Sequence, residues 1–183
     1  GVRRSSKRNE STLTDRSTDL TGSIRELESR IGVPADGLSE ELFLFVSRIT
    51  PLVNVDLLVR DARGRTLLTW CSDRFYGPGW HVPRVNTRFG ETAAERIRIL
   101  ARREPGADVE FDPSTLFIHE GIHPERRDRG HFVSLLYRCR LASGPDSGKR
   151  FVPGAPQPNQ WLWHERCPAN LIREQRDYAR YVG

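Results

Sequence analysis

Hydrophobic positions form no pattern over the first twenty residues, GVRRSSKRNESTLTDRSTDL, so residues 1–20 are expected to be a polar tail, disordered or ordered only by a partner. In GSIRELESRIG, Ile24, Leu27 and Ile31 recur at helical spacing. Ser23 and Glu26 match a capping box, so a short helix is predicted there. VPADG breaks it, and SEELFLFVSRI predicts a second helix capped by Ser39. The period then shifts to two. PLVNVDLLVRDARGRTLLTW places Val53, Val55, Leu57 and Val59 on one face, turns at DARG and returns, which predicts a hairpin. After the loop YGPGWHVPR, Ala94, Ile97, Leu100 and Ala101 predict an amphipathic helix ended by Pro105 and Gly106. ADVEF, TLFIHE and HFVSLLYRCRL predict three strands, the last with Val133, Leu135, Tyr137, Cys139 and Leu141 facing inward. QWLWH predicts a short strand and ANLIREQRDYARYV a closing helix. The order implies one α+β domain over residues 21–183, with N-terminal helices in 22–50 and a core in 51–183.

Length and composition agree with a single domain: 183 residues at 37% hydrophobic content can bury one core. No run approaches the roughly 18 apolar residues of a membrane span, and no leader-like pattern opens the sequence. Cys71, Cys139 and Cys167 are an odd set without a C-x-x-C pair, which argues against disulfides and thiolate zinc and favours a reducing, cytoplasmic compartment. A formal charge of +5, carried largely by arginine, points to phosphates or other anions as partners. No segment interleaves aromatic and basic residues, which argues against nucleic acid. The oligomeric state stays open, a homodimer included.

HEGIH, residues 119–123, matches the metalloprotease pattern H-E-x-x-H. That chemistry needs a helix to bring both imidazoles to one face, and here a strand pattern precedes, Gly121 sits at the centre and Pro124 follows. A strand end entering a loop is expected instead, with the two histidines on different faces and no stoichiometric zinc. His119, Glu120 and His123 remain candidates to line a pocket, because loops at strand ends carry function. His131 heads the predicted inward face of its strand and is a candidate acid or base near neutral pH.

GWHVPRVNTRFGETAAERIRILARREPGA resembles the signature region of the Nudix hydrolases, G-x5-E-x7-R-E-U-x-E-E-x-G-U with U aliphatic. Registered on Glu91, the box glycine falls on Val85, Arg-Glu on Ile99 and Leu100, Glu-Glu on Arg103 and Glu104, and the last glycine on Gly106. The shortened charge set, with TPLVNVDLLVRDARGRTLL, GWHVP and the spacing to GET, is similar to the GDP-mannose mannosyl hydrolase branch over roughly residues 40–180. The resemblance implies an α/β/α sandwich: a mixed sheet flanked by helices, here with an N-terminal helical extension. It also implies one Mg2+, held by Glu104 and a backbone carbonyl near Val85, and a nucleotide sugar or other nucleoside diphosphate as substrate. Arg74 matches a position where the family uses arginine. Pro83 is followed by Arg84 and Val85, where that branch has Gly-Gly.

The residues support Glu104 independently. At 100° per residue it lies within about 20° of Ile97, on the apolar face, and at a helix C-terminus where the macrodipole disfavours an anion. Such a carboxylate needs a cation, either a metal or an arginine. Arg88, just before the helix, is a candidate phosphate ligand. Trp80, Trp161 and Trp163 are expected in the core, and His164 and Cys167 are read as structural. Two functions follow: a magnesium-dependent hydrolase releasing sugar and nucleoside diphosphate, or a catalytically impaired binding or scaffold protein of the same fold in a larger assembly.

Overall fold

The computed structural model describes residues 10–183, and their side chains from residue 19 onward. Its elements run α1 (Glu10–Arg30), α2 (Glu40–Val46), β1 (Leu52–Arg60), β2 (Thr66–Asp73), β3 (Gly77–His81), β4 (Arg84–Asn86), α3 (Ala93–Arg103), β5 (Val109–Ile122), β6 (His131–Leu141) and β7 (Trp161–His164). A closing segment of tight 3-10 turns spans Arg173–Tyr181.

The sheet is mixed. Its order is β3-β2-β1-β6-β5, with β4 joined to β1 and β7 to β2. β1 and β6 run parallel from Leu52↔Phe132 to Val59↔Cys139, and the remaining pairs are antiparallel. The hairpin turn forms as its sequence requires, because the Asp61 carboxylate accepts the backbone N–H groups of Arg63 and Arg65 at 3.0 and 2.9 Å.

Both faces of the sheet are covered. On one, Ile97, Leu100 and Ala101 of α3 pack on Val55, Leu57, Val59, Leu67 and Tyr137. On the other, Leu58, Leu68, Trp80 and Leu136 pack under Leu171, Tyr178 and Val182 of the C-terminal segment. This double cover makes the architecture a sandwich. It also corrects the one-sided reading of β6: Phe132, Ser134 and Leu136 are buried along with Tyr137 and Cys139. A central strand covered on both faces loses its hydrophobic alternation.

α3 is held by a full capping box, in which Thr92 and Glu95 satisfy each other's backbone N–H groups. The helix then stops at Glu104, and Gly106 adopts φ 71°, a conformation costly for any residue with a Cβ. Ser39 caps α2 as expected, accepting from the Leu42 N–H at 3.4 Å.

Three expectations change. Residues 1–9 lie outside the described residues, but 10–20 are the first half of α1, so Ser23 sits mid-helix and caps nothing. Leu20 continues the Ile24–Leu27 stripe one turn earlier. From residue 19 to 30 every side chain is exposed, so that half of the helix adds nothing to the core. ADVEF and TLFIHE are one strand, β5, whose pairing with β6 continues through irregularities between Phe111 and Phe117. The closing segment is 3-10 rather than α, with a non-helical Gln175 whose side-chain oxygen accepts the Val82 N–H at 2.7 Å. That bond ties the segment to the strand beneath it. Among the described residues, no helix is long and apolar enough to cross a membrane.

Candidate active site

A break in the sheet builds the site. Along one edge, β1 pairs with β2 at Val59 and Arg60 but with β4 at Asn54, Val55 and Asp56. Between those stretches the Leu57 N–H bonds to the Pro83 carbonyl at 2.9 Å. Where β2 and β4 part, a cavity of about 330 Å³ opens, reached by Asp73, His81, Arg84, Arg103, Glu104 and Arg129 among others. Trp70 and Tyr76 contribute aromatic surface to its wall.

Glu104 lies at the end of α3 with 1% of its surface exposed, as its place on the apolar helix face predicted. Its Oε1 accepts from Arg103 Nη2 at 3.1 Å, and its Oε2 accepts from Thr69 Oγ1 at 3.1 Å. Burial pushes its carboxyl up to about 7, against the pull of Arg103 and Thr69. His81 stands next in line, with Nε2 3.3 Å from Thr69 Oγ1. Its Nδ1 lies 2.8 Å from the Val82 carbonyl, which only accepts, so Nδ1 carries the proton and Nε2 is an acceptor. Burial and the nearby Arg84 charge hold this imidazole down to about 4, so it is neutral. The single Thr69 hydroxyl hydrogen cannot serve both neighbours. With Glu104 protonated, Glu104 donates to Thr69 and Thr69 to His81, and every group is satisfied; with Glu104 ionised, His81 Nε2 loses its donor.

Beside this chain lies a second polar group. Asp56 is buried in β1 and accepts from the Tyr178 hydroxyl at 2.7 Å; its other oxygen is 4.0 Å from Arg84 Nε and has no hydrogen-bond partner. Burial raises the Asp56 carboxyl, although Arg84 and Tyr178 oppose the shift. Burial also works against the Arg84 charge, but Asp56, Tyr76, Tyr178 and Glu174 outweigh it and the guanidinium stays firmly cationic. Asn86 donates to Asn54 Oδ1 at 2.5 Å, and Asn54 to Ser134 Oγ at 3.1 Å, which fixes the base of the cavity.

The other sequence candidates fall elsewhere. His119 Nδ1 stands 3.1 Å from the Asp177 carboxylate, and His123 3.6 Å from Glu125. Both rings lie against Phe132, at 5.7 and 5.8 Å, so the two histidines do share a face, contrary to expectation. A strand's period of two returns residues 119, 121 and 123 to one side as surely as a helix would. Gly121 leaves room there for the Phe132 ring, since a Cβ would come within 2.2 Å of it. His131 is not inward: its side chain is 36% exposed and lies 3.4 Å from Glu120, itself 64% exposed. Arg74 is an exposed partner of Glu40 at 2.6 Å. Arg88 donates to the Ala35 carbonyl at 3.2 Å and borders a separate, largely apolar groove near Val53 and Phe89. Of the proposed site residues, only Glu104 and Val85 reach the cavity. The sequence reading missed Thr69, His81, Asp73, Tyr76 and Arg129. The one signal for His81 was its place in GWHVP, while Arg129 carries no local mark.

The donor set does not fit a resident magnesium ion. Such a site uses one or two free carboxylates in an oxygen shell, whereas Glu104 is already bonded by a guanidinium and a hydroxyl. Among the described residues, no three His, Cys, Asp or Glu side chains converge as metal ligands. The Asp73 carboxylate accepts the Phe75 and Tyr76 N–H groups, both at 2.8 Å, and so shapes its own loop.

This mixed sheet between two covering layers is the fold of the Nudix hydrolases. A possible asymmetric diadenosine tetraphosphate hydrolase from Jonesia denitrificans superposes with a TM-score of 0.57 at 18% identity, over 73% of this chain and 92% of that one. The MutT Nudix hydrolase from Burkholderia pseudomallei gives 0.57 at 17% identity, over 73% and 99%. A UDP-X diphosphatase gives 0.51 at 14% identity, over 91% and 77%. No protein-family model matches the sequence, and no curated protein matches it either.

Proposed function

We propose that this chain binds a nucleoside diphosphate-linked compound in the cavity between β2, β3 and β4. The observation that carries the reading is the convergence of Arg84, Arg103 and Arg129 on one concave site with Trp70 and Tyr76 in its wall. Guanidiniums match the fork geometry of phosphate oxygens, and aromatic faces suit a base. The similar folds include proteins named for diadenosine tetraphosphate and UDP-linked substrates, which supports the same ligand class here.

A second reading is magnesium-dependent hydrolysis of a nucleotide sugar such as GDP-mannose, releasing sugar and nucleoside diphosphate. It is favoured by Glu104, a carboxylate kept buried at the unfavourable end of a helix dipole. Titration calorimetry with ADP, UDP, GDP and GDP-mannose, beside a screen for released sugar, tests both. Binding of the diphosphates but not of the bare nucleosides is expected. Failure of every diphosphate to bind would reject the first reading, and turnover that needs magnesium would put the second ahead.

A further inference from the structure

We propose that the cation this cavity turns toward its ligand is a pair of guanidiniums, Arg84 and Arg129, both held against the Tyr76 ring, and that the pocket therefore takes a diphosphate without a divalent metal. The inference rests on the diphosphate reading above and goes further, to what neutralises the anion.

Arg84 stands just after Pro83, at the start of β4. Its side chain is 10% exposed and its guanidinium lies between two rings, 4.9 Å from the Phe132 centroid and 5.1 Å from that of Tyr76. Rings hold a cation by their faces but accept no ordinary hydrogen bond, so the N–H groups are left to point elsewhere. Asp56, the acid paired with it, is at 4.0 Å, beyond hydrogen-bond reach, and Arg84 Nη1 is buried without a partner. Arg84 lines the cavity, and a charged side chain there that keeps a donor unpaired is a site awaiting an acceptor.

Arg129 completes the pair from the loop before β6. Its guanidinium is 4.8 Å from the centroids of both Tyr76 and Phe75, its Nε is buried without a partner, and among the described residues it makes no ion pair. Its backbone adopts φ 56°, uncommon for a residue with a side chain, and its N–H is held by Ser47 Oγ at 3.1 Å. Strain of this sort persists where the surroundings over-determine a functional geometry. Three guanidiniums gather on the Tyr76 ring: Arg126, 5.5 Å from its centroid, is neutralised by Glu174, and a doubly charged anion between Arg84 and Arg129 relieves the repulsion of the other two. The negative groups of the cavity do not: Glu104 is engaged by Arg103 and Thr69, and Asp73 by the Phe75 and Tyr76 amides.

The test is calorimetric titration of the full chain with ADP and with inorganic pyrophosphate, each in excess EDTA and in magnesium. Binding in EDTA is expected for both probes, weakened about tenfold or more by Arg84→Gln and by Arg129→Gln. Arg129→Gln is the safer variant, since Arg84 also compensates Asp56. Arg102→Gln, which alters an exposed arginine paired with Asp108, controls for a general charge effect and is expected to bind as wild type. Binding that appears only with magnesium, or that both clamp variants leave intact, overturns the clamp while sparing the diphosphate reading. Wild-type protein that binds neither probe in either buffer rejects both.

Discussion

Two regions of this molecule are rich in ionisable side chains, and they differ in how those side chains are satisfied. At the rim where β5 meets β6, His119, His123 and His131 each have a carboxylate nearby: Asp177, Glu125 and Glu120. In and behind the cavity between β2, β3 and β4 the groups come from distant positions, 81, 84, 104 and 129 on its lining and 56 and 69 bonded behind it, and several keep buried atoms without partners. Side chains at the surface meet whichever carboxylate lies nearby, near in sequence (Glu120, Glu125) or far (Asp177). Those held inside the fold can keep open valences, because the surrounding packing fixes them. The rim was conspicuous in the sequence for its spacing, but its three histidines leave no buried atom unpartnered, whereas Asp56, Arg84 and Arg129 do.

The largest effect that would test this contrast is in Asp56→Asn. Removing that charge takes from the buried Arg84 its largest compensating anion, and breaking a buried pair in this way costs about 3 to 5 kcal/mol. Urea denaturation at pH 7 measures it. A change near zero would mean that Arg84 draws no support from Asp56, and the cavity would then be no more tightly built than the rim.

Glu104→Gln comes next, and its sign depends on pH. The folded carboxyl titrates at about 7 against an ordinary 4.5, so between those values the folded state binds more protons than the unfolded one. Stability therefore falls as pH rises from 4.5 to 7, by on the order of 3 kcal/mol, and levels off above. The glutamine variant lacks this loss: it should match wild type near pH 4 and exceed it at pH 8. Because Arg103 is half exposed, the substitution strands no buried cation. A variant less stable than wild type at pH 8 would show that the Arg103 and Thr69 contacts outweigh the cost of burial.

Much of the architecture was legible in the chain. The hairpin, the amphipathic α3 with its stop at Gly106 and the inward Glu104 follow from local rules of period and turn chemistry, which need only a few neighbouring residues. Those rules could not show that β6 is covered on both faces, because that depends on Leu171, Tyr178 and Val182 returning from the far end of the sequence. Arg129 was illegible for the same reason, since only the fold carries it to Tyr76. Arg84 was visible only as a departure from a glycine pair; its meaning required the two rings that hold it.

Gly121→Ala probes the rim from its packed side. The added methyl would meet the Phe132 ring, which is wedged between His119 and His123, so overpacking should destabilise by about 1 to 3 kcal/mol. Thermal melting reads the change. Nucleotide binding by the folded fraction is expected to persist, and its selective loss at full folding would move the rim into the binding site.

His131→Gln should do least of all, and for that reason it is the sharpest discriminator between the two regions. The side chain is 36% exposed and its contact with Glu120, at 3.4 Å, is a surface pair. Such pairs are screened by solvent, and surface changes of this kind usually stay within about 0.5 kcal/mol. Glutamine keeps a donor and an acceptor, so even the local bond can be replaced. An acid–base role predicts something very different: general catalysis contributes roughly a hundredfold or more, and its loss would leave folding untouched. Melting temperature, diphosphate affinity and any turnover measured on this one variant should all match wild type. A fall in turnover at unchanged stability would return the chemistry to the histidine rim and leave the arginine cavity as a binding site only.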